Sequence, residues 1–218
     1  MLCMPVITSC SEDEEEMLLN PDNDPYNGHE YVDLGLSVKW ATCNVGATSP
    51  EEYGDYFAWG ETTPKTTYYW STYKYCNGTS DSMTKYCTSS NYGTVDNKTT
   101  LELTDDAAHV NWGGSWRMPT LAEQEELTDN CTWIWTTQNG VNGYKVTSKK
   151  NGNSIFLPAA GYRNGSNLGN AGSNGDYWSS SLGASNSGSA YDLGFGSSVV
   201  GWNDIGRYYG HSVRAVCE

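Results

Sequence analysis

At 218 residues the chain has the length for one domain with a real hydrophobic core. With 9 Trp and 16 Tyr against 3 Phe, that core is built of amphipathic rings whose polar tips need hydrogen-bond partners. The net charge of −14, with no basic stripe to displace counterions, argues against nucleic acid as a partner.

Residues 1–29 read as the remnant of a lipoprotein signal and an acidic tether, with the folded domain spanning 30–218. Val6-Ile7-Thr8-Ser9-Cys10 resembles a bacterial lipobox, which implies lipidation of Cys10 as the first mature residue. Glu12, Asp13, Glu14, Glu15 and Glu16 follow directly, an acidic run similar to the surface-export signal of Bacteroides-group lipoproteins. The departure is that no Lys or Arg precedes the apolar stretch, which is also shorter than a signal h-region. The expectation is an outer-membrane lipoprotein at the cell surface, touching the membrane only through a lipid on Cys10. No other segment approaches transmembrane length.

Along the domain, Glu30–Asp33 and Ser37–Cys43 have the alternation of strands. Ser49-Pro50-Glu51-Glu52 predicts a short helical turn, with an N-cap and Pro at the first helical position. Asp55–Trp59 reads as a strand, and 61–100 as a long ordered excursion. Thr104–Ala108 opens a short helix with acids in its first turn, stopped at Asn111-Trp112-Gly113-Gly114. Thr120-Leu121-Ala122-Glu123 is a capping box that opens the strongest helix, about 121–130. Thr132–Thr137 follows as an extended run. Tyr144–Ser148 and Ser154–Leu157 are expected to pair through Asn151-Gly152, a dipeptide suited to a type I′ turn. Short strands and Gly-rich turns then continue to Ser212–Cys217. The class is α+β, with short antiparallel strands, two main helices and long ordered loops.

Beyond Cys3 and Cys10 the cysteines are Cys43, Cys76, Cys87, Cys131 and Cys217. In an exported chain they invite disulfides. Cys76 and Cys87 close a short loop and form the expected pair, while Cys43 with Cys217 would tie the first strand to the last. No Cys-x-x-Cys occurs and the three histidines are isolated, so no metal and no cofactor is expected.

The segment 161–211 uses a small alphabet. Of its 51 residues 38 are Gly, Ser, Asn, Tyr, Asp or Trp, and Lys, Glu, Gln, Thr, Pro, Met and Cys are absent. Tyr and Trp give contact area at low rotamer cost, and Ser, Gly and Asn give adaptable hydrogen bonds, the physics of a paratope. A Gly/Ser linker would be as polar but would not carry Tyr177, Trp178, Leu193, Phe195, Trp202, Tyr208 and Tyr209 spaced through it.

Five separated motifs carry a resemblance: YVDLGLSVKWA (31–41), GDYFAWGE (54–61), WRMPT (116–120), YWSSS (177–181) and SVRAV (212–216). Together, over roughly residues 30–217, they resemble a paralogous exported-protein family abundant in Bacteroides and Fibrobacter. That family is similar to the C-type-lectin-like fold, which also carries the variable proteins of diversity-generating retroelements. The resemblance implies a compact domain with adjacent termini and a ligand face built from a C-terminal excursion. Retroelement diversification of AAC codons never yields Lys, Glu, Gln, Met or Trp, which would make Trp178 and Trp202 fixed scaffold.

The candidate ligand contacts follow. Asn164, Asn167, Asn170, Asn174 and Asp176 occupy Gly-rich loops, where Asn is also a plain turn residue. Alternation turns Tyr191, Asp192 and Gly194 outward if Leu193 and Phe195 are core. Asn203, Asp204, Ile205, Tyr208, Tyr209 and His211 lie on the last excursion. Trp202-Asn203-Asp204 resembles half of a calcium–sugar site, but no proline follows Pro158 to supply the other half. The expected function is adhesin- or receptor-like recognition of a protein or glycan, without catalysis. The alternatives are a structural or pilus-tip assembly subunit and an enzyme of the formylglycine-generating type. The latter is unsupported, since it needs paired cysteines in the C-terminal half and only Cys217 lies in the last eighty residues.

Overall fold

The computed structural model describes residues 24–218. Cys10 and the acidic run, and with them the expected lipid anchor, lie outside the described residues. Packing begins before Glu30. Trp116 donates its indole N–H to the Tyr26 carbonyl at 2.8 Å, and His29 stacks on Trp112 with centroids 4.0 Å apart.

The chain is α+β, mostly antiparallel strands in small sheets with two helices. Strands β1 (Tyr31–Val32) and β2 (Lys39–Ala41) open it, and Ser49–Glu52 forms a single turn closed by the Glu52 N–H to the Ser49 carbonyl at 3.2 Å. Asp55–Trp59 belongs to no sheet; Phe57 bridges to His211, and the Trp59 N–H bonds to the Arg207 carbonyl at 2.9 Å. Helix α1 (Ala107–Trp112) starts later than the acids predict, because Asp106 is its N-cap and accepts from the His109 N–H. Helix α2 (Leu121–Asn130) has the expected reciprocal capping box of Thr120 and Glu123. Arg117 clamps the same Glu123 with two bonds of 2.8 and 2.6 Å.

Strands β3 (Cys131–Gln138), β4 (Val141–Ser148) and β5 (Ser154–Pro158) form a meander. The two-residue turn with positive φ at both positions is Asn139-Gly140 (φ 49 and 85), between β3 and β4. Asn151-Gly152 instead sits in a wider loop where only the glycine has positive φ (79). A hairpin, β6 (Tyr162–Asn164) and β7 (Asn167–Gly169), leads to a three-stranded sheet of β8 (Asn174–Leu182), β9 (Ser189–Gly196) and β10 (Val199–Gly206), with β9 central. Strand β11 (Val216–Cys217) closes on β2, placing the first and last strands in one sheet.

The aromatic core has satisfied tips. Tyr56, Tyr73 and Tyr177 donate to the carbonyls of Ala160, Trp59 and Pro158 at 2.6–2.7 Å, and Trp59 and Trp178 donate to those of Ser179 and Phe57 at 2.8 and 2.7 Å. Two arginines are fully buried without a carboxylate. Arg214 donates to Asn44 and to the carbonyls of Ala41, Thr42 and Phe156. Arg207 donates to the Tyr73 hydroxyl and to the carbonyls of Tyr86, Ser187 and Lys85, with its guanidinium 4.7 Å from the Trp59 ring centroid. Arg207 thereby fastens the end of β10 to the 61–100 excursion.

The expected Cys76–Cys87 disulfide is not formed. Both thiols are free: Cys76 donates to the Trp70 carbonyl at 3.2 Å and Cys87 to that of Ser89 at 3.1 Å. Backbone bonds close the loop instead, Thr84 N–H to the Tyr75 carbonyl at 2.9 Å and Met83 N–H to that of Tyr92 at 2.7 Å. Cys43 and Cys217 are also unpaired. The termini are tied by the β2–β11 ladder, in which Cys217 faces Lys39 while Cys43 turns to the Ala47 carbonyl.

Candidate functional site

The sheet β8–β9–β10 sets the site by register. Asp176 lies opposite Gly194 and Trp178 opposite Asp192 on one side of β9, while Gly201 and Asn203 face the same two residues on the other. Side chains directly opposite share a face. Asp176, Asp192, Gly194 and Asn203 therefore belong to one surface, and Leu193 and Phe195 to the other.

Phe57 brings in the last component. Its backbone exchanges hydrogen bonds of 3.0 and 3.1 Å with His211, and its carbonyl also accepts from Trp178. The imidazole stacks on Trp178 with centroids 4.2 Å apart and 19° between planes. Strand β6 lies alongside, since Arg163 and Gly210 pair through bonds of 2.7 and 3.0 Å. Its Tyr162 ring then sits 5.8 Å from Tyr209 and 6.3 Å from His211.

These elements enclose a cavity of about 160 Å³ walled by Tyr162, Ile205 and Tyr209, with Asp176, Asp192, Asn203 and His211 as its polar lining. A second hollow of about 180 Å³ adjoins it, sharing Asp176 and Asn203 and continuing past Asn174, Gly194 and Val199. The two form one groove across the sheet face.

The polar groups of this groove are under-satisfied. Nine buried side-chain polar atoms among the described residues lack a hydrogen-bond partner, and four of them belong to the groove residues Asp176, Asp192 and His211. A folded protein leaves few such groups, and each needs a reason. Asp192 is 1 % exposed with neither carboxylate oxygen bonded, and His211 Nδ1 lies 3.5 Å from it. Burial and the adjacent Asp176 carboxylate push Asp192 well above the usual carboxylate range, and the nearby Asn203 amide offsets only part of this. Burial alone raises Asp176 to about 6 and lowers His211 to about 3, which keeps the imidazole neutral.

Eight of the fourteen candidate contacts line the groove: Asn174, Asp176, Asp192, Gly194, Asn203, Ile205, Tyr209 and His211. Asp192 and His211 do so as buried groups, not on an open surface. Adjacent strand residues point to opposite faces, so Tyr191 and Asp192 cannot both turn outward, and β9 is covered on both sides. Tyr191 and Asp204 face each other on the reverse of the sheet, where Asp204 accepts from the Ser185 N–H at 2.9 Å. Asn203 and Asp204 thus diverge and do not make the half calcium site their sequence resembles. Tyr208 packs on Trp70 with centroids 4.8 Å apart, at the margin of the groove. Asn164 and Asn167 are exposed on the β6–β7 hairpin, and Asn170 is a positive-φ turn residue (φ 55). Trp178 is buried as scaffold, whereas Trp202 is 39 % exposed.

Sequence reasoning missed Tyr162. It lies in the compositionally restricted segment, but a three-residue strand offers no periodicity to orient it. Among the described residues no three His, Cys, Asp or Glu side chains come together to hold a metal ion, and no helix is long and apolar enough to cross a membrane. Comparison with protein-family models, curated proteins and solved structures finds no match to this chain.

Proposed function

We propose that this is a cell-surface ligand-binding protein, adhesin- or receptor-like, which recognises its partner through the groove on β8–β10. It presents a domain of the C-type-lectin-like kind on an acidic, lipid-anchored tether, and it acts by non-covalent binding. The observation that carries the reading is the concentration of unbonded buried acceptors in one aromatic-walled groove. Such groups destabilise a free protein and are accounted for when a ligand supplies the missing donors. The fold part is supported by the shared sheet of first and last strands, the two helices and the long C-terminal excursion. The surface location rests on the lipobox-like residues ending at Cys10 and the acidic run that follows.

Catalysis is the second reading, favoured by two carboxyls with raised pKa values beside a neutral imidazole. Turnover of a bound ligand, lost in Asp192→Asn, would establish it in place of simple recognition. Binding is tested by screening glycan arrays and panels of host and bacterial surface proteins with wild type, Tyr209→Ala and the remote control Glu125→Ala. A true ligand is weakened at least tenfold by the first substitution and is indifferent to the second. Equal binding by Tyr209→Ala would place the site elsewhere.

A further inference from the structure

We propose that the Asp176–Asp192 cavity takes a compact organic cation, a primary ammonium group on an alkyl stem, such as a lysine side chain or a free alkylamine. This rests on the reading of the C-terminal groove as a binding face and names the chemistry that face selects.

Donor count is the first argument. Asp176 Oδ2 and both oxygens of Asp192 are buried and unbonded, giving three acceptors in one small cavity once both carboxyls are ionised by a bound cation. An ammonium offers three donors and no acceptor, so it satisfies all three without bringing a lone pair that needs a partner. A sugar hydroxyl brings acceptors as well as donors.

Charge is the second argument. Asp176 and Asp204 both raise the Asp192 carboxyl further, and neither Asp176 nor Asp192 has a Lys or Arg partner among the described residues. The nearest basic side chain on the neighbouring hairpin, Arg163, stacks over Tyr56 at 5.2 Å instead. His211 stays neutral because it is 2 % exposed and packed against Trp178. Burial and the like charges therefore favour the protonated Asp192 carboxyl in the free protein, and among the described residues no cation is placed to ionise it; that charge would be the ligand's.

The walls and size supply the third argument. Tyr162 and Tyr209 present rings to a bound cation, and Ile205 offers an apolar contact for its stem. About 160 Å³ is well below the ~300 Å³ of a site for drug-sized molecules, and suits one unbranched side chain.

The test is titration calorimetry of the purified protein at pH 7 with n-butylamine, Nα-acetyl-lysine N-methylamide, its Nε-acetyl derivative and Nα-acetyl-arginine amide. The two primary amines should bind saturably, and Asp192→Asn and Asp176→Asn should each weaken them at least tenfold. The Nε-acetyl derivative should not bind. Tighter binding of the blocked lysine than of butylamine assigns the source to a protein side chain; equal binding assigns it to the ammonium alone. No saturable binding by either amine, undiminished binding by both Asn variants, or tighter binding of the arginine amide would overturn the proposal. Asp176 is only partly buried, so Asp176→Asn keeps the test valid should Asp192→Asn fail to fold. A surface partner lost in Asn174→Ala, yet held by Asp192→Asn and not displaced by butylamine, would refute the cation and leave the groove reading standing. Amine binding without any groove-dependent surface partner would do the reverse.

Discussion

Replacing Asp176 with Asn should stabilise the free protein at neutral pH and flatten its pH dependence. Burial lifts the Asp176 carboxyl from 3.8 to about 6, with no donor on Oδ2 to oppose it. A carboxyl whose pKa is higher folded than unfolded holds its proton more tightly in the folded state. Its contribution is complete below about pH 3.8 and is lost as pH rises through about 6. Each pKa unit is worth ~1.4 kcal/mol, so the rise amounts to ~3 kcal/mol, and residual solvent contact brings the expected difference to ~1–3 kcal/mol. Other carboxylates act oppositely. Ion pairing with Lys85, and hydrogen bonds from Tyr75 and Tyr86, outweigh burial and hold Asp105 at about 2. Its stabilisation is present above the unfolded value and lost as pH falls towards 2. These terms are common to both proteins, so the difference between them reports Asp176 together with its effect on the neighbouring Asp192 carboxyl. Urea unfolding of wild type and Asp176→Asn at pH 4.5, 5.5, 6.5 and 7.5 should show a gap that widens with pH. Parallel curves with a constant gap would refute the reasoning.

Four further outcomes follow from particular contacts. Gly175→Ala drives a methyl into the Phe195 ring and should cost ~1–3 kcal/mol in urea unfolding. Gly194→Ala meets only the movable tip of the Asn203 amide, so it should leave the unfolding midpoint nearly unchanged while weakening any groove ligand. Arg207→Ala leaves the Tyr73 hydroxyl and the Tyr86, Ser187 and Lys85 carbonyls without their donor and should cost ~3 kcal/mol or more in urea unfolding, of which Arg207→Lys, lacking the guanidinium fork, should recover only a part. Cys43, Cys76, Cys87, Cys131 and Cys217 should all react with a thiol reagent in denaturant without prior reduction. A higher thiol count, or a lower melting temperature, after reductant would show a disulfide.

What the sequence disclosed was local. The Thr120–Glu123 box is a contact within one helical turn, and helix α2 occupies the expected residues. The C-terminal segment stood out by composition, which needs no long-range information to be noticed, and eight of its candidate residues line the groove. Asn-Gly, by contrast, occurs at both 139–140 and 151–152, and only the meander register decides which closes a two-residue turn. Alternation misplaced Asp192 because it presumes one wet face, whereas β9 is covered by the Phe195 cluster on one side and by the groove walls on the other. Tyr162 was illegible for want of periodicity. Arg207 and Arg214 were illegible because their partners are mostly backbone carbonyls, which carry no sequence signature. The disulfide expectation used spacing alone, and spacing does not report which way the two thiols point.

The most direct test of the groove as the binding face is the affinity of the strongest screened partner for wild type, Asp192→Asn and Asn203→Ala, each checked for an intact unfolding transition. At least tenfold weaker binding by both variants is the predicted result. Undiminished affinity in both would contradict it and move recognition to another surface of the domain.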